Sequence, residues 1–420
     1  MISSNTQSSL EVNSEGKPSA SDPRVTIHVS ESETPLDLNE LKYDTPRGWA
    51  CVLGVFLITV HTWGMSSDSS LAYGVFLTYY ATSPSFQPTS NIMFAYVGGL
   101  SIAVAFITSP FMGYYVSKGY VRVILFAGVL IEAGSFIAAS FATRSWHLFL
   151  TQGVGYGLGM GMLYTGSVGI ISQWFRRHTG PANALGAAGT GVGGIAYSLG
   201  TNRMLGDLGY ATTMRVLAAL ILVFNGIGVL LLRSRDKQIG VIVRLPFDYR
   251  LLTTPGYPLI LVYGLCCLFG YIMGLFSMSS YCIRIGLTAS QGSVAVAMMS
   301  VGQAFGRPAV GFLCDKLGIL NVTTGTAAFS AILSFVMWPL AESYGVILVF
   351  GLLAGSVTGT FYAVVAPLTA SVVGLRELTR ALSLIWIILA VPATYKQASD
   401  VASLLAVSQV VANALIETGK

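Results

Sequence analysis

The sequence predicts an all-α integral membrane protein built from two related helical bundles in tandem, and three observations lead to this class. Of the 420 residues, 53% are hydrophobic and only 10% are charged, whereas a soluble domain carries about 25% charged residues. From Gly48 onward, apolar runs recur at close to the ~20 residues that a helix needs to cross a bilayer. Residue patterns of the first half also return in the second half, at an offset of about 198 residues.

The segment before the first apolar run is polar. Residues 1–46 are rich in Ser, Thr and Glu and poor in aromatic residues, so they cannot bury enough apolar area to offset the entropy lost on ordering. We therefore predict a disordered cytosolic tail over 1–46. No short apolar run begins the sequence, and we expect no signal peptide.

Eleven clear spans and a doubtful twelfth follow the tail. The apolar runs are continuous rather than alternating, which favours helices over barrel strands. The twelfth candidate, 401–416, would measure only about 24 Å as a helix, so we expect a short or interfacial helix there, or a truncated gene end. The clear spans are 48–67, 92–114, 121–141, 148–172, 182–199, 212–232, 258–281, 294–314, 323–340, 346–371 and 381–394.

The charge distribution predicts the orientation of these spans. The net charge of +5 comes from basic residues scattered between apolar runs rather than clustered, so nucleic acid is not an expected partner. Loops rich in Lys and Arg lie in the cytosol, which places the N-terminus there too, in a multi-pass protein of the cell membrane. The loops of the basic side contain Lys118, Arg122, Arg176, Arg177, Arg233, Arg235, Lys237, Arg244, Arg250, Lys316, Arg376 and Arg380.

An internal repeat predicts how the spans are grouped. The offset superposes Pro110, Gly113 and Lys118 on Pro308, Gly311 and Lys316, and it superposes Gly153, Gly157, Gly161 and Tyr164 on Gly351, Gly355, Gly359 and Tyr362. Tandem repeats of this kind are typical of secondary transporters. We predict an N-terminal six-helix bundle over 47–232, a cytosolic linker over 233–254, and a C-terminal bundle with an atypical end over 255–420.

With the repeat established, several motifs resemble the major facilitator superfamily, and within it the monocarboxylate porter-like transporters common in fungi. The motifs are DTPRGW (44–49), YGVFL (73–77), TQGVGYGLG (151–159), QWFRR (173–177), GRPAVG (306–311) and RALS (380–383). This resemblance covers about residues 44–394. It implies a two-bundle fold that carries a small solute by alternating access, with helices four and ten lining a central cavity.

The resemblance also implies a conformational gate motif at the cytosolic end of the eighth span. Its Gly-x-x-x-Asp-basic-x-Gly pattern is intact as Gly311, Asp315, Lys316 and Gly318, whereas Ser117 replaces the acid in the first half. The family's intramembrane Asp and Arg map to Gln303 and Arg307, so the acid of that pair is missing.

Arg307 is the leading candidate for binding the solute. A cation at that depth costs about 2.5–3.5 kcal/mol on insertion scales, so it is expected to face the bundle interior and meet an anion. Its planar fork suits a carboxylate, and its repeat counterpart is the neutral Ser109. The alternative is that Arg307 only pairs with helix carbonyls. Gln303, Tyr164 and Tyr362 would shape the pocket, each tyrosine offering an apolar ring and one hydroxyl.

Two residues of the first span are candidates for proton coupling. His61 and Asp68 lie seven positions apart, about two helical turns, and therefore share a face. Both types of side chain can exchange protons when their environment shifts them, although a structural role is the alternative for each. Glu132, in the third span, is expected to make a structural hydrogen bond.

These residues predict a secondary transporter of a small organic anion, such as a monocarboxylate, working by alternating access with or without a coupled proton. One alternative is an efflux pump that exports a fungal secondary metabolite. A second, of another class, is a non-transporting membrane sensor or an inactive truncated paralogue. The sequence contains no catalytic motif, and the five cysteines show no metal-ligand spacing. We therefore expect no enzyme activity, metal or cofactor, and a monomer in the lipid bilayer.

Overall fold

The computed structural model describes residues 41–66, 91–243 and 249–390, and no strand occurs in these three ranges. Six described stretches are long and apolar enough to cross a bilayer: Pro46–Ser66, Tyr96–Ala139, Ser145–Gln173, Tyr210–Ile239, Ile319–Met337 and Tyr344–Val373. The all-helical, multi-pass membrane class is confirmed. The count of eleven or twelve crossings stays a prediction, because the twelfth candidate lies outside the described residues. Residues 1–40 of the predicted tail lie outside them as well.

The first half of the chain contains six helical segments, labelled α1 to α6. The longest stretch, Tyr96–Ala139, is two helices, because Gly119 has non-helical backbone angles (φ 92°) that let the chain turn back. The segments are α1 (Pro46–His61, continued by Trp63–Ser66), α2 (Asn91–Tyr115), α3 (Val121–Ala139), α4 (Ser145–Leu148, a π-helical turn Phe149–Gly155, and Tyr156–Ser167), α5 (Thr179–Leu208) and α6 (Tyr210–Leu231).

The second half contains five described helical segments, labelled α7 to α11. They are α7 (Tyr257–Arg284), α8 (Ala289–Leu317), α9 (Ile319–Ile332, continued by the π-helical turn Leu333–Met337), α10 (Tyr344–Val357 and Thr360–Val373) and α11 (Leu378–Ala390). A capping box formed by Thr288 and Gln291 starts α8, which satisfies two backbone donors that a helix start leaves unpaired.

The structure differs from the sequence prediction at α10. The sequence predicts a single membrane-spanning helix over 346–371, but this helix is interrupted between Val357 and Thr360. Gly359 occupies the left-handed region at φ 78°, which glycine adopts without steric cost. The short polar residues Ser356, Thr358 and Thr360 beside it do not end the apolar run, so the sequence does not reveal this interruption.

Glycines allow the helices of each half to approach closely. A Cβ on Gly157 would lie 2.4 Å from the Ser101 carbonyl oxygen of α2, and a Cβ on Gly355 would lie 2.1 Å from the Met299 carbonyl oxygen of α8. These two glycines are repeat counterparts, so the same contact forms in both halves. Membrane helices pack through small residues in this way.

Glu132 is fully buried in the first half, where the Asn225 Nδ2 donates a hydrogen bond to its carboxyl group at 2.8 Å. This contact joins α3 to α6. It is the structural hydrogen bond expected from the sequence.

Several segments that carry basic residues contact one another, and we call them together the basic end: residues 41–44, 116–120, 173–180, 233–243, 315–318 and 374–377. Asp44 accepts hydrogen bonds from the backbone N–H groups of Arg176, Arg177 and His178, at 3.4, 3.2 and 3.1 Å. Burial raises the pKa of Asp44, but these N–H groups and the His178 ring outweigh it and hold the pKa below its usual value. Asp44 therefore fastens the chain before α1 to the start of α5.

Candidate functional site

A cavity lies between the two halves, and it brings together three of the four residues predicted to bind the solute. Arg307, Tyr164 and Tyr362 line it, and the remaining polar lining comes from Thr59, Trp63, Asn183 and Thr190. No carboxylate lines this cavity in the part of the chain that the structure describes. The polar wall is therefore composed of neutral groups and a single cation.

Arg307 is 1% exposed, and its described partners are neutral. Its Nη1 donates to the Ala187 carbonyl oxygen of α5 at 2.7 Å, and its Nη2 donates to Gln303 Oε1 at 2.8 Å. Within the described ranges, its Nε has no hydrogen-bond acceptor. Arg307 thus does pair with a helix carbonyl, as the alternative role predicts. This contact leaves the charge of Arg307 uncompensated and its Nε without an acceptor.

Gln303 acts on the cavity through Arg307. It is 1% exposed, and its side-chain oxygen holds Nη2 of the guanidinium, while the Tyr271 hydroxyl donates to the same oxygen at 3.4 Å. Gln303 therefore orients Arg307 from within α8 rather than lining the cavity itself.

Tyr164 and Tyr362 belong to an aromatic cluster that spans the two halves. The Trp63 ring centroid lies 5.1 Å from that of Tyr164 and 5.6 Å from that of Tyr362. Trp386 of α11 completes the cluster, with its ring centroid 5.1 Å from that of Tyr164. Among described residues, the indole N–H groups of Trp63 and Trp386 have no acceptor. Sequence reasoning missed both tryptophans, because a single aromatic residue in an apolar run gives no periodic signal.

The structure does not bring His61 to this cavity. Its Nδ1 lies within hydrogen-bonding distance of the Tyr197 hydroxyl of α5, and its ring stacks on Phe224 of α6 at 5.1 Å between centroids. His61 therefore packs within the first half. Asp68, the other candidate for proton coupling, lies outside the described residues.

The gate motif lies where α8 crosses α5 at the basic end. Asp315 Oδ1 accepts a hydrogen bond from the Gly180 backbone N–H at 3.0 Å, an arrangement that also compensates the positive end of the α5 dipole. A Cβ on Gly311 would lie 2.4 Å from that of Ala184, so this glycine permits the close crossing. Gly318 ends α8 at φ 87°, and Lys316 is exposed.

A wider cavity of about 1030 Å³ lies at the basic end, and its lining includes Gly180, Cys314 and Asp315. In the short 3-10 turn after α4, Ile171 lines the central cavity and the adjacent Ser172 lines this wider one. The contact between Asp315 and Gly180 therefore lies at the wider cavity, whose lining adjoins that of the central cavity.

Replacing Asp315 with alanine is expected to loosen this crossing. A hydrogen bond to a charged group contributes about 1.5–3 kcal/mol, so the open population at the basic end should rise about tenfold or more. The measurement is the rate at which a maleimide labels Cys314, which is 4% exposed, in a variant whose other cysteines are replaced. Besides burial, the negative charge of Asp315 disfavours the Cys314 thiolate with which the maleimide reacts. The matched control is therefore Asp315→Asn, which removes the same charge but keeps a side-chain oxygen that can accept from the Gly180 N–H. Equal labelling rates in the two variants would show that this hydrogen bond does not hold the crossing.

Comparisons with known proteins identify a family and several relatives. A family model described as "Major Facilitator Superfamily" matches residues 48–394. "Probable transporter MCH2" of Saccharomyces cerevisiae is 29% identical over 351 residues, which cover 83% of this chain and 73% of that protein. "Uncharacterized transporter ESBP6" of the same yeast is 28% identical over 331 residues, covering 76% of this chain and 49% of that protein, so the match spans about half of that relative's length. "Fujikurins efflux protein" of Gibberella fujikuroi is 26% identical over 394 residues, covering 88% of this chain and 82% of that protein.

Proposed function

Because the chain belongs to the Major Facilitator Superfamily, and is thus a membrane transporter of small solutes, we propose that its solute is an organic anion whose carboxylate binds Arg307. Transport proceeds by alternating access, with the solute held in the cavity between the two halves. The observation that carries this proposal is a guanidinium that is 1% exposed and surrounded by neutral partners among the described residues.

The energetics of burial favour an anion at this position. Removing a charge from water costs several kcal/mol even after the protein relaxes, and only a well-placed opposite charge offsets this cost. Arg307 Nε, which faces no acceptor in the described part of the chain, offers a further donor to such a group. A bound carboxylate would satisfy this donor and neutralise the charge.

The aromatic wall supports an organic body on the solute. Trp63, Tyr164 and Tyr362 all line the cavity, and aromatic rings supply apolar area together with a polar atom at the edge. Binding sites for small organic molecules combine such walls with a few polar groups that set the orientation. A monocarboxylate with an apolar or aromatic body fits this arrangement.

The contacts between the halves support alternating access. Arg307 of α8 reaches the Ala187 carbonyl of α5, and Asp315 reaches the Gly180 N–H at the basic end. Both contacts join the first half to the second, so rocking of one half against the other has to break or remake them. The basic loops favour a cytosolic basic end in the cell membrane, and we place the N-terminus there, in a monomer.

Export of a secondary metabolite is the second candidate function. A relative named as a fujikurins efflux protein matches over 88% of this chain, whereas the name "Probable transporter MCH2", of a relative that matches over 83%, gives no direction of transport. The rings of Trp63, Tyr164 and Tyr362, which line the cavity, offer faces on which a conjugated acid can stack. Direction is decided by measuring where the solute accumulates.

The test compares carboxylates retained and secreted by cells with and without the chain, followed by flux into liposomes that contain the purified protein and no ATP. We expect saturable flux of a carboxylate from a panel of acetate, pyruvate and benzoate, and none of the neutral analogue benzamide. Carboxylate binding without flux would favour the sensor, and saturable flux of benzamide alone would rule out the anion.

A further inference from the structure

The tenth helix is interrupted half-way along its length, beside the central cavity. Its first half ends at Thr358, which is extended at ψ 138°, and Gly359 then turns the chain at φ 78° before the second half, Thr360–Val373, begins. Backbone that leaves the helical path at membrane depth is tolerated where protein buries it or where it lines a cavity. In transporters, such half-helix ends face bound solutes or ions.

The second half of α10 begins with few partners for its first N–H groups. The first turns of any helix lack internal acceptors for these donors, and Gly359, at the N-cap, has no side chain to supply one. The Tyr362 N–H donates to the Gly359 carbonyl oxygen at 3.1 Å, and the Thr360 hydroxyl donates to the Val357 carbonyl oxygen at 2.6 Å. Within the described ranges, no backbone acceptor outside the helix pairs with the N–H groups of Thr360 and Phe361, so both can donate to a bound group.

The guanidinium of Arg307 packs directly on the interruption. A Cβ on Gly359 would lie only 2.8 Å from Nη2, so the side chain occupies the space that the missing Cβ leaves. The start of a helix carries about half a positive charge and the end of a helix about half a negative charge, so the two halves of α10 offset each other's dipole where they meet. The full charge of Arg307 is the uncompensated one, and the described residues that line the cavity include no negative charge. A bound anion would neutralise this charge.

The internal repeat shows that the shared scaffold requires neither feature. The counterpart of Arg307 is Ser109, whose hydroxyl accepts a hydrogen bond from Thr165 at 2.9 Å. The counterpart of Gly359 is Gly161, which lies inside the continuous helix Tyr156–Ser167. The cation and the interrupted helix therefore occur together in the second half, and the described part of the first half has neither at the matching positions.

We propose that Arg307 and the start of the second half of α10 form one carboxylate-binding subsite. In it, Arg307 Nε and the backbone N–H groups of Thr360 and Phe361 donate hydrogen bonds to the carboxylate oxygens, and Gly359 provides the space for the guanidinium. The organic body of the solute then extends toward Trp63 and Tyr164. This inference rests on the proposed function, since it assumes that the solute is an organic anion.

The experiment removes one backbone donor and leaves every side chain in place. Phenyllactic acid, incorporated at position 361 by nonsense suppression in the full chain, converts the Phe361 N–H to an ester oxygen. The matched control is the leucine hydroxy acid at Leu163, the repeat counterpart of Phe361, inside the continuous helix of α4. The probe is formate, the smallest carboxylate, so that only the carboxylate subsite is measured. Its apparent Kd is taken from the rise in thermal unfolding midpoint with concentration at constant ionic strength.

We expect formate to stabilise the unmodified chain, with an apparent Kd that rises about tenfold for the ester at 361, because a hydrogen bond to a charged acceptor is lost. The ester at 163 should leave this Kd within about twofold, and Arg307→Gln should remove the stabilisation. Equal Kd values for the two esters, with stabilisation still lost in Arg307→Gln, would overturn the α10 subsite alone.

Two other outcomes separate this inference from the proposal on which it rests. Formate stabilisation that survives in Arg307→Gln would overturn the anion site at Arg307 itself. Absence of stabilisation in the unmodified chain would overturn the carboxylate subsite, while flux in liposomes decides independently whether an organic anion is carried.

Discussion

Replacing Arg307 with glutamine is expected to lower carboxylate flux about thirtyfold or more. Truncating one partner of a buried, hydrogen-bonded charge pair costs about 2–5 kcal/mol, and Arg307 is the only cation that lines the central cavity among the described residues. The glutamine side chain keeps much of the length of arginine and one neutral hydrogen-bond donor. The loss of flux therefore measures the effect of the charge and the planar guanidinium rather than that of the side-chain volume. The measurement is the initial rate of flux in liposomes, normalised to monodisperse protein.

Two companion variants make this result interpretable. Arg307→Lys keeps the charge without the planar fork and should retain part of the flux. Arg203→Gln removes an arginine whose side chain is 87% exposed in its pair with Asp207, an interaction worth little in water, and should leave the flux unchanged. Saturable carboxylate flux with an unaltered half-saturation concentration in Arg307→Gln would show that Arg307 does not bind the carboxylate of the solute.

Replacing Gly359 with alanine is expected to lower flux at least tenfold while the protein still folds. The new Cβ would lie 2.8 Å from Arg307 Nη2, and the end of a flexible side chain gives way before the backbone does. The guanidinium would then leave the position in which it meets the start of the second half of α10. Alanine at φ 78° also carries a backbone cost of about 1–2 kcal/mol, which lowers the unfolding midpoint.

Gly256 offers a matched control for that backbone cost. It precedes α7 in the same left-handed region, at φ 85° and ψ −25°, and a Cβ there would lie in ordinary contact with Val372, at 3.6 Å. Gly256→Ala should therefore lose similar stability and keep its flux. Parallel losses of flux in both variants would mean that strain, rather than displacement of Arg307, explains the effect of Gly359→Ala.

Much of the architecture could be predicted because a membrane imposes a local rule on the sequence. Each helix that crosses lipid has to be apolar over about 20 residues, and this is visible without knowledge of its neighbours. The same rule identified Arg307 as a candidate site residue, since a charge in an apolar run needs a specific partner. The repeat then paired Tyr164 with Tyr362, and both residues line the cavity.

The features that the sequence does not reveal depend on which residues become neighbours in the folded chain. Seven-residue spacing indicates that His61 and Asp68 share a helix face, but it does not say which neighbour that face meets, and His61 packs on Tyr197 and Phe224. Gly359 continues a glycine series that otherwise packs helices, so its left-handed angle has no sequence signal of its own. Trp63 and Trp386 are single aromatic residues in apolar surroundings.

The sequence alone determined the membrane class, the helical segments and the need of Arg307 for a partner, because the cost of placing each group in lipid depends on that group and its near neighbours. Only the tertiary structure decided which groups meet. Arg307 and Ala187 are 120 positions apart, and their contact depends on how α8 crosses α5. The interruption of α10 beside Arg307 is likewise a property of packed atoms rather than of composition, and it is this juxtaposition that turns a buried cation into a candidate carboxylate site.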